Sequence, residues 1–226
     1  MYKKYIKRIV DVVCAVAAIT VFSWLYIIVA LLVRFKLGSP VFFKQKRPGL
    51  NGKIFTLYKF RSMTDEKDEN GNLLPDDVRL TKFGKLLRKT SLDELPEAFN
   101  ILKGDMSVVG PRPQLVRDMV FMSEEQNRRH SVKPGLSGWA QVSGRNGITW
   151  EEKIELDLEY INKMSFLFDV KIIFKTVWTA FFKQEGISQE GMDTAEDFGD
   201  WLLRAGKIDK TEYDEKQTEA KNMLRV

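Results

Sequence analysis

The stretch RKTSLDELPEAFNILKGDMSVVGPRP, residues 88–113, sets adjacent carboxylates, Asp93 and Glu94, between Arg88-Lys89 upstream and Pro111-Arg112-Pro113 downstream. Leu95, Phe99 and Leu102 repeat with helical spacing, and Pro96 is tolerated only near a helix start. The spacing therefore predicts a short helix with both acids in or just before its first turn. Unpaired N–H groups and the positive dipole end favour anions there. Two readings follow. Ser91-x-x-Glu94 has the form of a capping box, with Asp93 an ordinary first-turn acid. Alternatively, side chains one residue apart on a helix diverge by roughly 100°, which suits two different jobs at one edge. One acid attacks while the other holds a metal.

Upstream, residues 12–33, VVCAVAAITVFSWLYIIVALLV, contain no charge. At 1.5 Å per residue the run is long enough for a hydrocarbon core of about 30 Å. It exceeds the apolar region of a cleaved signal peptide, and no small-residue cleavage site follows it. Lys3, Lys4, Lys7 and Arg8 precede it, and Arg34 and Lys36 follow it. The positive-inside rule therefore selects no orientation and is satisfied with both ends cytoplasmic. Arg8 and Asp11, spaced i,i+3 at the edge of the run, are expected to pair. Residues 1–60 hold eleven Lys/Arg and one acid, Asp11, in a chain whose net charge is only +5. Such a front suits anionic phospholipid headgroups, phosphorylated substrates or nucleic acid. The single cysteine, Cys14, allows no disulfide framework and points to a reducing compartment.

After Gly38-Ser39-Pro40, the segments VFFKQKR, PGLNG and IFTLYKFRSM predict a β-hairpin, with Lys59 and Arg61 on one face. Phe55, Tyr58 and Phe60 interleave with these cations as in nucleic-acid stacking surfaces. The glycine of an RNP-type strand is missing, and no nucleic-acid partner is expected. Residues 65–77 form an acidic, turn-rich loop. Residues 80–90 read as a basic amphipathic helix, and QLVRDMVFMSEEQNRRH as a further helix. Residues 128–147 are basic and punctuated by Gly and Pro, in the manner of a solvated loop. WEEKIELDLEYINKM places Ile154, Leu158 and Ile161 on one helix face. SFLFDVKIIFKTVWTAFFK aligns Phe166, Val170, Phe174, Val177 and Phe181, with Lys171, Lys175 and Lys183 nearby. An interfacial helix and a core helix both fit that pattern.

Residues 191–226 turn polar and predict two short helices around Gly206. Their apolar face, Trp201, Leu202, Ile208, Tyr213 and Leu224, is too small to be stable alone. It must pack on the body or on a second copy, and a homodimer is expected. The chain thus divides into a membrane-anchoring segment (1–37), a body (38–190) and a helical pair (191–226). The class is α+β, mostly helical with a small β-hairpin. No two glycines stand two apart, so there is no GxGxxG and no Walker loop. One histidine, His130, and one cysteine are too few for zinc. Gly135-Leu136-Ser137-Gly138 is not a nucleophile elbow.

LDELPEAFNILKGDMSVVGPRP resembles the signature of the bacterial sugar transferases, the monotopic phosphoglycosyl transferases. FFKQKRPGLNGKIFTLYKFRSM before it and RRHSVKPGLSGWAQVSGRNGITW after it extend the resemblance over roughly residues 1–190. It implies a re-entrant N-terminal helix and interfacial amphipathic helices. The family's Ser-Pro at the break is Ser23-Trp24 here, so the strongest kinking device is absent. The resemblance also implies transfer of a sugar phosphate from a UDP-sugar to polyprenol (undecaprenyl) phosphate, through an aspartyl-phosphosugar and with release of UMP. That is a first step of bacterial glycoconjugate assembly, at the cytoplasmic face of the inner membrane. Asp93 would attack and Glu94 would hold Mg²⁺. Lys59, Arg88, Arg112 and Arg145 would offset the anions, and Gln141, Arg145 and Asp157 match substrate-contacting positions. Two other classes share the residues: a nucleoside diphosphate sugar hydrolase, and a non-catalytic membrane protein binding anionic lipid or nucleic acid. The latter does not require the acid pair followed by Pro-Arg-Pro.

Overall fold

The computed structural model describes residues 1–144, 147–182 and 196–225. After a π-helical turn, Tyr2–Ile6, the uncharged run folds as two helices, α1 (Lys7–Val21) and α2 (Ser23–Lys36). They meet at 64° across Phe22. Among the described residues no single helix is long and apolar enough to cross a membrane; the bent pair meets that test jointly, as a broken span or a re-entrant loop. With no proline at the break, docking at both ends sets the angle. On α1, Lys7 Nζ donates to Asp169 Oδ2 at 2.6 Å, and Arg8 donates to the Ile101 and Leu102 carbonyls at 2.6 and 2.9 Å. Asp11 accepts from Ser107 Oγ and Val108 N, each at 2.9 Å. The expected Arg8–Asp11 pair gives way to these partners. On α2, Val29 and Val33 pack against Phe60 and Leu87, and Tyr26 Oη donates to the Leu95 carbonyl at 2.5 Å. Val13, Val21, Trp24, Ile27, Leu31 and Phe35 are left exposed on the outer faces.

Strands β1 (Phe42–Pro48) and β2 (Ile54–Phe60) form the expected antiparallel hairpin, with Phe43 opposite Lys59 and Arg47 opposite Phe55. Asn51 and Gly52 take positive φ in its turn, the backbone state these two residues tolerate best. Beyond the acidic loop come α3 (Asp76–Arg79) and α4 (Lys82–Lys89). A Cβ on Gly84 would fall 1.9 Å from the Ser62 carbonyl oxygen, so only glycine lets α4 lie this close to the chain leaving β2.

The acidic stretch forms a 3-10 turn, Leu92–Glu94, followed by α5 (Glu97–Lys103) with Pro96 as N-cap. Asn100, fully buried, donates to the Thr56 carbonyl at 2.7 Å and accepts from Tyr58 N at 3.1 Å, which locks α5 to β2. A second, parallel pair joins β3 (Ser107–Val109) to β4 (Gly135–Ser137). Strands of three residues are too short for an alternating pattern to announce them. Between them, the single helix expected over QLVRDMVFMSEEQNRRH is broken into α6 (Val116–Met119), α7 (Glu124–Asn127) and a 3-10 turn, Arg128–Ser131. Asp118 and Ser123 each bond back to a backbone amide, of Leu115 and of Gln126, and so start separate turns.

Helices α8 (Trp139–Ser143), α9 (Trp150–Lys163) and α10 (Phe166–Phe182) complete the body. On α9, Ile154, Asp157 and Tyr160 are buried. On α10, Asp169 and Ile172 face inward, whereas Phe166, Val170, Phe174 and Val177 are exposed, so that stripe is not core. The Phe181 side chain and Lys183 lie outside the described residues. The tail forms α11 (Phe198–Arg204) and α12 (Lys210–Arg225) about Gly206. Phe198, Trp201 and Leu202 pack with Met122, Trp150 and Ile154, while Ala220 and Met223 pack with Val116 and Val120. Trp201 and Leu202 thus pack on their own chain, whereas Leu224 stays exposed.

Candidate active site

Several elements bring charge to the acidic turn: β2 carries Lys59, α4 carries Arg88, and the segment between β3 and α6 carries Arg112. Lys59 Nζ lies 2.6 Å from Glu94 Oε1 and 3.1 Å from Glu97 Oε1, and Arg112 Nη2 lies 3.1 Å from the same Glu94 oxygen. Arg88 Nε donates to Ser62 Oγ at 3.0 Å. Ser91 is left-handed, with φ 54°, and its side chain caps nothing. Glu94 is taken instead by two cations, whose charge-assisted bonds outweigh a backbone amide. The capping-box reading is thereby replaced.

Asp93 differs from its neighbour. It is 7 % exposed, and among the described residues no hydrogen bond or ion pair reaches its carboxylate. Burial pushes its pKa up to about 6 against the pull of Lys59, with Glu94 adding to the rise. Burial also opposes ionisation of Glu94, but Lys59 and Arg112 outweigh it and hold this carboxyl well below its ordinary range. Glu97 is raised by burial despite Lys59. The acids thus divide: Glu94 is a salt-bridged anion, and Asp93 an uncommitted carboxylate titrating near neutrality. Strongly displaced pKa values of opposite sign on adjacent residues mark a functional site.

Glu97 and Arg47 join the site without being singled out by the sequence analysis. The signal for Glu97 is its i,i+3 spacing from Glu94. Arg47 donates to the Pro113 carbonyl at 3.0 Å, a partner 66 positions away that no local pattern announces. Burial and the nearby Arg112 push its pKa down to about 10. Two sequence candidates stand elsewhere. Asp157 is buried in an ion pair with Arg129 at 2.6 Å, with side chains 4 % and 1 % exposed. Arg129 also donates to the Arg112 carbonyl at 2.8 Å, so Asp157 reaches the site only at two removes. Gln141, on α8, donates to the Leu136 carbonyl at 3.1 Å, while its buried Oε1 has no partner among the described residues. Arg145 lies outside the described residues.

The family model for bacterial sugar transferase matches residues 2–183. The chain belongs to the bacterial sugar transferase family. It is 54 % identical over 193 residues to the uncharacterized sugar transferase EpsL of Bacillus subtilis strain 168, covering 85 % of this chain and 95 % of that one. It is 41 % identical over 188 residues to the UDP-glucose:undecaprenyl-phosphate glucose-1-phosphate transferase of Escherichia coli K12, covering 79 % of this chain and 40 % of the relative. A UDP-N-acetylgalactosamine-undecaprenyl-phosphate N-acetylgalactosaminephosphotransferase of Aeromonas hydrophila is 42 % identical over 187 residues, covering 77 % and 43 %. This sugar transferase thus spans about two-fifths of the length of the latter two. Its matched region ends at residue 183, before α11 and α12.

Among the described residues no three His, Cys, Asp or Glu side chains converge as a metal cage. Mg²⁺ seldom uses one, taking one or two carboxylates and completing its shell with water and substrate phosphate. Glu94 meets Lys59 and Arg112 through Oε1, which leaves its Oε2, unbonded among the described residues, as the atom that would hold the ion.

Proposed function

We propose that this sugar transferase moves a sugar phosphate from a UDP-sugar to undecaprenyl phosphate and releases UMP, as a first step of bacterial glycoconjugate assembly. The observation that carries the reading is Asp93, a buried carboxylate with no partner among the described residues, set beside Lys59 and Arg112. The activities named for the Escherichia coli and Aeromonas hydrophila relatives support the donor and acceptor classes. An Asp93 oxygen attacks the phosphorus that bears the sugar. The bond from that phosphorus to the UMP oxygen breaks, and UMP leaves with the electron pair. An oxygen of undecaprenyl phosphate then attacks the same phosphorus and expels the Asp93 carboxylate. Asp93, its pKa pushed up to about 6, is already ionised at neutral pH, and the second nucleophile is an oxygen of an anionic phosphate, so neither step needs a general base. Lys59 and Arg112 fix Glu94 and supply positive charge where the diphosphate lies, and Arg88 adds to that charge at Asp93. Mg²⁺ held by Glu94 would supply further charge neutralisation when bound.

The test is UMP release by the full chain in lipid nanodiscs with Mg²⁺, undecaprenyl phosphate and a panel of UDP-sugars. Absence of UMP with every donor would overturn the proposal. A single-turnover version without acceptor isolates the first step. Asp93 attacks only as the anion and its pKa is raised, so the rate should be full above about pH 6 and fall about tenfold per unit below it. A limb near the ordinary aspartate value of about 3.9 removes Asp93 from the role.

The α1–α2 pair is proposed to enter and leave on the cytoplasmic face of the inner membrane, which keeps the site beside a lipid-borne acceptor. Lys3, Lys4 and Lys7 at one end, Arg34 and Lys36 at the other, and the 64° bend support this. The exposed stripe of α10 suits the bilayer surface alongside phospholipid headgroups. Single cysteines at positions 3 and 36, in a Cys14→Ala background, should label from the same side. Labelling from opposite sides means a true span.

A further inference from the structure

Arg112 stands on an irregular segment, and a side chain on a loop is aimed only as well as the loop is held. Gly110 N donates to the Ser137 carbonyl, and Gly135 N to the Pro111 carbonyl, each at 2.9 Å. Arg129 holds the Arg112 carbonyl at 2.8 Å, and Arg47 holds that of Pro113 at 3.0 Å. These anchors belong to the body. The last anchor is shared with the tail: Leu115 N donates at 3.0 Å to Asp118 Oδ2, and the other oxygen of that carboxylate accepts from Phe198 N at 2.9 Å.

Phe198 is the first residue of α11. Asp118 is 1 % exposed, so its two amide donors are what make its burial tolerable. Burial pushes its pKa up to about 6 even with the Phe198 and Leu115 amides drawing it down. Around this joint, Arg117 pairs with Asp197, the N-cap of α11. Phe198 is seated among Met122, Trp150 and Ile154. Helix α12 lies against α6 through Ala220 and Met223, and Lys46 Nζ donates to the Leu224 carbonyl at 2.8 Å. Asp118 and Asp197 also favour the charged form of Arg47 against its burial and the nearby Arg112. The tail therefore closes the far side of the segment whose near side carries Arg112 to Glu94.

We infer that the helix pair Phe198–Arg225 is a positioning element for Arg112, acting through Asp118, which bonds the first turn of α11 to the end of the Arg112 segment. Asp118 is a positioning residue and touches no reacting atom. The catalytic consequence rests on the transferase reading above, whereas the positioning itself can be measured without turnover.

Two full-length variants strike the joint differently. Asp118→Asn replaces one acceptor oxygen by an amide donor, and Phe198→Ala weakens the seat of the tail while leaving Asp118 intact. Backbone hydrogen exchange in nanodiscs, without substrate, should quicken about tenfold or more over residues 112–116 in both, with β2 and α5 unchanged as the folding control. With substrates, each should lose about tenfold in kcat/KM, and Arg112→Ala should cost far less on either background than on the wild type. Unchanged exchange over residues 112–116 in both variants overturns the inference. So does an Arg112→Ala loss that multiplies in full on both backgrounds, because the tail then acts elsewhere. A wild type that releases no UMP defeats the transferase reading but leaves the exchange result standing.

Discussion

With UDP-sugar alone, the wild-type protein should gain the mass of one sugar phosphate, and Asp93→Asn should gain nothing. An amide oxygen of similar shape carries no charge to share with phosphorus, so the attack is lost while the fold is kept. Asp93 makes no bond among the described residues, which means the substitution breaks no structural contact there. Turnover should fall by about 10⁴-fold or more, as when other covalent nucleophiles are removed. Glu94→Gln should behave differently. It strips Lys59 and Arg112 of their shared anion, so rate and Mg²⁺ dependence should weaken together while an adduct still forms slowly. Intact mass spectrometry reads both variants. A phosphosugar adduct on the Asp93→Asn protein would sink the assignment.

Arg129→Met should be the most destabilising change in the body. Its guanidinium and the Asp157 carboxylate are 1 % and 4 % exposed on their side chains, so solvent screens neither. Removing one partner leaves an uncompensated buried charge, a loss of about 3–5 kcal/mol in comparable pairs. Replacing both by apolar residues of similar size is often neutral. Arg129→Met combined with Asp157→Leu should therefore recover most of the thermal unfolding midpoint lost in the single variant. Activity should recover less, because the Arg112 carbonyl still lacks its donor. If Asp157 contacted substrate directly, Asp157→Asn would raise KM with stability unchanged. Burial of the pair predicts the reverse order of effects.

The features legible in the sequence are those that local rules dictate. The hairpin follows from alternation around an Asn-Gly turn, and α5 from the spacing of Leu95, Phe99 and Leu102 after Pro96. The break in the uncharged run falls within one residue of Ser23, although the proline that would mark it is absent. Lys59, Arg88, Asp93, Glu94 and Arg112 were candidates from motif resemblance, and their side chains do converge. Family membership follows from the same dispersed motifs. Each of these signals spans at most a few turns of chain, where propensity and periodicity operate.

Choice of partner was not legible. Arg8 is three residues from Asp11, yet it bonds carbonyls 93 and 94 positions away while Asp11 serves Ser107 and Val108. Arg8 there meets the negative end of the α5 dipole, and Asp11 satisfies a strand that would otherwise bury unpaired donors. Glu94 leaves its own turn for Lys59 and Arg112, and Asp157 pairs with Arg129. Trp201 and Leu202 of the tail find Met122, Trp150 and Ile154 of the body, and the parallel β3–β4 pair joins strands too short to declare themselves. The sequence by itself determined the hairpin, most of the helices, the long uncharged run and the adjacent acids, Asp93 and Glu94. Tertiary structure alone decided which acid stays uncommitted, because packing brings Lys59 and Arg112 onto Glu94, whereas burial of Asp93 raises its pKa instead.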